Sequence, residues 1–212
     1  MKNLFLLAFF AFVCLGVILL TGGNSRATLL EQGEDIMMEK PEGHPSAVLA
    51  GGCFWCTESE FRALDGVLYT RAGYMGGSTD NPTYKDITIG KTGHAEVIEV
   101  TFDPAIISYE TIVEFFFTDA HDPTQLNRQG VDRGTQYRSA IFPADDEQKE
   151  IAQDVIERLQ PEFDSKIVTT IEPFSTFWEA EDYHQQYYEK YQAETGKDHI
   201  RVVIKNAKKL KP

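Results

Sequence analysis

Apolar and polar residues alternate most regularly over residues 94–103, with Glu96, Ile98, Val100 and Phe102 on one face and Val97, Glu99 and Thr101 on the other. This period of two predicts a strand. A shorter apolar run, Ala47-Val48-Leu49-Ala50, is also of strand type. It ends in Gly51-Gly52, and a helical pattern follows over residues 58–64. Residues 66–72 and 136–142 read as further strands, and 166–171 as an edge strand closed by Pro173. Ser108 can cap a helix to about residue 120, packed through Ile112, Val113, Phe115, Phe116 and Phe117. Asp145 or Asp146 opens another helix to about residue 159, its acids placed near the positive end of the dipole. Residues 177–191 predict a last, Tyr-rich helix, residues 73–93 a long loop and residues 121–134 a turn-rich segment. Loops of that length inside a compact domain usually carry function.

The order strand, helix, strand, strand, helix, strand, with helix, strand and helix appended, predicts an α/β (α+β) two-layer sandwich. Its core is a ferredoxin-like plait with extended loops. The chain has 212 residues, 42% of them apolar, enough for one such domain. Residues 4–21 are uncharged and almost wholly apolar, and Ser25-Arg26-Ala27 offers a small-x-small cleavage site. Residues 1–27 therefore read as a signal peptide or an uncleaved N-terminal membrane anchor. Either places the domain outside the cytoplasm, in a periplasm or secreted. Cys14 is an apolar residue of that leader. Residues 28–46 read as a solvated tether and residues 47–212 as the folded domain. The net charge of −13 argues against nucleic acid or anionic lipid as a partner, and the domain is expected to act as a monomer.

The chemistry centres on Cys53 and Cys56. A thiol at a helix N-terminus has free N–H groups and the positive end of the dipole beside it, so Cys53 is a candidate nucleophilic thiolate. Cys56, one turn on, is within reach of an oxidised Cys53. Half a zinc site and a structural disulfide are the alternatives. Cys14 is the only other cysteine, and no His-x-x-x-His spacing completes a ligand set, so neither metal nor cofactor is expected. So small a disulfide loop would remove little entropy from the unfolded chain. Glu96 shares the apolar face of Ile98, where a buried carboxyl would have a raised pKa and serve as a proton donor. The pattern equally allows a strand-end glutamate turned to solvent.

Several motifs then occur in order. They are Gly-Cys-Phe-Trp-Cys at 52–56, Ala-Gly-Tyr-x-Gly-Gly at 72–77, Asn-Pro-Thr-Tyr at 81–84 and Thr-Gly-His-Ala-Glu at 92–96. After these come His-Asp-Pro at 121–123, Gln-Gly-x-Asp-x-Gly-Thr-Gln-Tyr-Arg-Ser at 129–139 and Ala-Glu-Asp-x-His-Gln at 180–185. Together they resemble the methionine sulfoxide reductase A family over about residues 48–188.

The resemblance implies a peptide-methionine (S)-S-oxide reductase that repairs oxidised proteins. Cys53 matches the nucleophile, Glu96 the acid, and Tyr84 and Tyr137 the hydroxyls that hold the sulfoxide oxygen. Asp132 matches a carboxylate of the same site, and Phe54 and Trp55 match the aromatic pocket for the substrate's S-methyl group. It further implies a Cys53 sulfenic acid. Cys56 is the only thiol after Cys53 to resolve it, and thioredoxin or a thioredoxin-like dithiol protein is the expected reductant. His94, His121 and His184 read as structural. A thioredoxin-like disulfide exchanger and a tethered binding module with a structural disulfide remain as rival readings.

Overall fold

The computed structural model describes residues 39–196. The leader, most of the tether and the basic tail lie outside them. In chain order the elements are β1 (Ser46–Gly51), α1 (Phe54–Arg62), β2 (Val67–Met75), α2 (Tyr84–Ile89), β3 (Ala95–Phe102) and α3 (Tyr109–Phe115). There follow β4 (Arg128–Gln129), β5 (Asp132–Arg133), β6 (Ser139–Phe142), α4 (Asp146–Leu159), β7 (Thr170–Ile171), β8 (Trp178–Glu179) and α5 (Tyr187–Thr195).

The main sheet runs β7-β6-β1-β3-β2-β8, antiparallel except between β6 and β7. Its four inner strands, β6-β1-β3-β2, have the order of a ferredoxin-like plait, as the sequence of elements predicts. Alternation along the strands divides the core. Ala47, Leu49, Ile98, Val100 and Phe102 face α1, α3 and α4, whose Phe61, Ile112, Val113, Ala152 and Val155 fill the same cluster together with Phe116 just after α3. Val48, Ala50, Met75, Ala95, Val97 and Phe142 make a smaller cluster on the opposite face, covered by Phe177.

The caps explain where the helices begin. The Ser108 side chain accepts from the Thr111 N–H at the start of α3, and Asp145 accepts from the Gln148 N–H at the start of α4. After Phe115 the chain continues for five residues as a π-helical turn, Phe116–Ala120, so the predicted single helix is two joined pieces.

Four expectations are corrected. First, β3 is buried on both faces, because the helices cover one and the cluster under Phe177 covers the other. Its Glu99 lies directly opposite Arg71 on β2, and both Arg71 and Lys40 bond to it. With Pro45 also accepting from the Phe102 N–H at 3.1 Å, the chain joins the domain before residue 47. Second, β2 continues to Met75, and the loop beyond it carries α2. Third, β6 starts only at Ser139, because Thr135–Tyr137 wind into a 3₁₀ turn, and β7 shrinks to two residues.

Fourth, the helix expected over residues 177–191 is confined to α5, preceded by a strap containing β8 and a 3₁₀ turn, Asp182–His184. The free edge of β2 captures this strap. The Ala180 N–H donates to the Ala72 carbonyl, and the Gln185 carboxamide accepts from the Ala72 N–H while donating to the Ala72 carbonyl. These edge groups would otherwise be buried without partners, which outweighs helical propensity. Phe177 packs where β2 has Gly73; a Cβ there would lie 2.4 Å from its ring.

Candidate active site

β1 delivers the chain to the thiol through Gly51-Gly52. Gly52 has φ +92°, and a Cβ there would lie 2.4 Å from the Gln129 Cβ in the β4–β5 hairpin. Both the backbone conformation and the close approach require glycine. Gly52→Ala is therefore expected to cost about 1–3 kcal/mol through the left-handed backbone alone, read as a lower midpoint in thermal unfolding. A midpoint equal to wild type would show that the turn and hairpin move apart freely.

Cys53 is the N-cap of α1 and Cys56 its third helical residue. Side chains at those two positions face each other, as in a capping box, so the C-x-x-C spacing brings the sulfurs together. Both are free thiols and both are half-buried. Their hydrogen bond raises the Cys53 thiol, and burial and the Glu96 charge push it the same way. The Cys56 N–H lowers it, but is the weakest of these effects. At the Cys53 thiol these neighbours outweigh the helix end. Cys56 is instead drawn down to about 7, first by Cys53 and then, against burial, by the Tyr188 hydroxyl at 3.2 Å.

Glu96 is 2% exposed on the helix-facing side of β3, directly across from the fully buried Tyr74. Its Oε2 accepts the Phe54 N–H at 3.0 Å, tying the carboxyl to the first turn of α1 beside Cys53. Burial raises its pKa to about 8, with Asp132 and Cys56 adding to the effect and the Phe54 N–H opposing it. The buried alternative for Glu96 is the one found.

Three loops complete the cluster. Tyr84 is the first residue of α2, set by a Thr83–Asp86 capping box. Tyr137 ends the 3₁₀ turn before β6, and Asp132 lies in β5. Burial, followed by the Glu96 charge, pushes Tyr84 up to about 12 and Tyr137 in the same direction. Asp132 is half-buried and raised by desolvation. Both hydroxyls are thus neutral donors next to the carboxyl and the thiol.

In the aromatic wall Phe54 is only 1% exposed and packs against Tyr74, Tyr84 and His184, at the base of the site. Trp55 remains half-buried, stacked on Tyr187 with centroids 3.7 Å apart and planes at 8°. Its indole N–H donates to His184 Nδ1 at 2.9 Å. That leaves the His184 proton on Nε2, 3.9 Å from Glu181. Glu181 accepts from the Tyr84 N–H and the Tyr74 hydroxyl, each at 2.9 Å. Burial lowers His184 to about 4, so it is a neutral orienting group for Trp55. His184, Glu181 and Tyr187 hold Trp55 and Tyr84 in place, a support that pattern reasoning missed; the motif at 180–185 was the available signal for His184 and Glu181.

His94 and His121 are structural as expected. His94 Nδ1 accepts the Gly77 N–H at 3.0 Å and Nε2 faces the Thr79 carbonyl at 2.8 Å, clasping the loop after β2. His121 bridges the Phe116 carbonyl and Ser139, with burial lowering its pKa to about 4. Among the described residues no group of three or more His, Cys, Asp or Glu is placed to hold a metal ion.

Paired thiols beside a neutral acid and two hydroxyl donors make an oxidoreductase site whose reacting atoms are sulfur. The family model for peptide methionine sulfoxide reductase matches residues 45–211. The peptide methionine sulfoxide reductase MsrA of a Nitratiruptor species is 53% identical over 166 residues, covering 78% of this chain and 92% of that protein. The solved structure of methionine sulfoxide reductase A of Corynebacterium diphtheriae superposes with TM-score 0.68 at 34% identity, over 76% of this chain and 80% of that one. The crystal structure of Mxr1 from Saccharomyces cerevisiae in complex with Trx2 superposes with TM-score 0.51 at 27% identity, over 72% and 91%. The chain belongs to the peptide methionine sulfoxide reductase family, as a methionine sulfoxide reductase A. It is an enzyme that reduces methionine sulfoxide.

Proposed function

We propose that Cys53 attacks the sulfur of the S epimer of methionine sulfoxide, in proteins or free, while Glu96 protonates the departing oxygen. The observation that carries this is the neutral, buried Glu96 held one residue from Cys53 by the Phe54 N–H. Glu96 gives its proton to the departing oxygen, and the proton that Cys53 loses as it attacks passes back to Glu96, so the carboxyl is neutral before and after the step. Tyr84 and Tyr137 donate hydrogen bonds to that oxygen as its charge grows, and Asp132 orders water and donors around it. Trp55, held by His184 and Tyr187, receives the S-methyl group.

Methionine departs and the oxygen stays on Cys53 as a sulfenic acid. The Cys56 thiolate then displaces it, forming the Cys53–Cys56 disulfide and releasing water. An outside dithiol protein of the thioredoxin class restores both thiols by exchange. The Trx2-bound structure of the yeast relative supports that class of donor. The assignment to the S epimer rests on the family likeness. The domain works as a monomer and, on the strength of residues 1–27, outside the cytoplasm.

The test is an assay of the two separated epimers with thioredoxin and its reductase. One S-sulfoxide should be consumed per dithiol oxidised, the R epimer should be untouched, and Cys53→Ser should abolish turnover. Insulin reduction without any sulfoxide would instead identify a disulfide exchanger.

A further inference from the structure

We propose that the Tyr188 hydroxyl is a catalytic group of the recycling step, donating a hydrogen bond to the Cys56 sulfur as that sulfur attacks oxidised Cys53. This rests on the reading of Cys56 as the resolving thiol. The Tyr188 Oη lies 3.2 Å from Cys56 Sγ, within hydrogen-bonding distance for sulfur, and the residue is only 8% exposed. It stands in the first turn of α5, whose start is tied to α1 on either side of this contact. Glu58 Oε2 accepts the Gln186 N–H at 2.8 Å, Trp55 stacks on Tyr187, and Arg62 bonds Glu189 at 3.1 Å. Gln186 takes a left-handed backbone, φ 53°, to begin the helix against Glu58. Three neighbours of Tyr188 are thus fastened to the helix that carries Cys56, which holds the hydroxyl over the sulfur.

The chemistry gives that hydroxyl work. In the step, the Cys56 thiolate forms the S–S bond, the Cys53 S–O bond breaks, and the oxygen leaves as hydroxide that takes up the proton Cys56 has released, giving water. The charged groups acting on Cys56 are Asp132 and Glu60, which oppose its ionisation, and the Cys56 charge in turn raises Glu96. Tyr188 and Cys53 supply the hydrogen bonds that favour the thiolate. Once Cys53 carries oxygen its thiol proton is gone, and Tyr188 remains the hydrogen-bond donor to that sulfur from α5. A neutral donor stabilises the thiolate without pairing it so tightly as to quench its attack.

The experiment follows loss of the second thiol after one equivalent of methyl sulfoxide substrate, with no reductant present. Rates are counted per methionine released, so only folded, reactive sites contribute. In Tyr188→Phe the ring packing is kept, disulfide formation at pH 7 should slow about tenfold, and its pH midpoint should move up by about one unit. Above that shifted midpoint the two proteins should converge. Equal rates and midpoints, or slowing by the same factor at every pH, would overturn the role of the hydroxyl. Cys56→Ser separates the two ideas: if it still recycles undiminished with thioredoxin, Cys56 does not resolve Cys53 and the underlying reading fails first.

Discussion

Glu96→Gln is expected to slow methionine release in a single turnover by about 10²–10⁴-fold, the range lost with a positioned proton donor. The substitution keeps the shape of the side chain and leaves an amide oxygen to accept the Phe54 N–H, so the first turn of α1 keeps its anchor. What it removes is the proton. In the wild type the carboxyl is neutral below about 8, and the rate of this step should fall as pH rises through that value. The Gln variant should show no fall of that origin.

The stability of the wild type should decline with pH as well. Burial raises the folded-state pKa of Glu96 from an ordinary 4.5 to about 8, so the folded protein binds the proton more tightly than the unfolded chain. The stability this confers is complete below about 4.5 and is lost as pH rises through about 8. The unfolding midpoint of Glu96→Gln should therefore gain on the wild type between pH 5 and pH 9. A variant that loses neither rate nor the alkaline decline would remove Glu96 from the role of acid. Activity lost together with stability at every pH would indicate a structural residue.

Cys56→Ser is expected to release one methionine per site and then stop when thioredoxin is the only reductant, whereas dithiothreitol should continue to sustain turnover. A small thiol can reach a half-buried sulfenic acid directly; a protein donor works by exchange and needs a disulfide to attack. Cys53 should then persist as sulfenic acid, trapped by dimedone and read by mass spectrometry. The serine hydroxyl can take the place of the thiol beside Tyr188, so the junction of α1 and α5 should hold. Undiminished turnover with thioredoxin would remove Cys56 from the cycle.

Some of the site was legible because its signals are local. The strand, the two glycines and the C-x-x-C at a helix start lie within a few residues of one another, and β3 shows its period of two plainly. The α4 cap at Asp145 falls where the acids predict it. Tyr84, Tyr137 and Asp132 had no such signal, because each sits in a loop whose course depends on capping boxes, a 3₁₀ turn and a two-residue hairpin. Their place came from likeness to known sequences. The strap after β7 departs from expectation for a related reason: its aromatic spacing suits a helix, but the unpaired edge of β2 offered more.

By itself the sequence determined which thiols are available, which carboxyl shares an apolar strand face, and the alternation of elements that folds into a plait, since each follows from residue type and short-range period. The tertiary structure decided the rest. It set how the two thiols bias each other, how far burial lifts Glu96, and that Trp55 is kept in place by His184 and Tyr187 while Phe54 goes beneath. The reason is that desolvation and charge act through space, and the groups that impose them arrive from strands and loops far away along the chain, as His184 does for Trp55 at a separation of 129 residues.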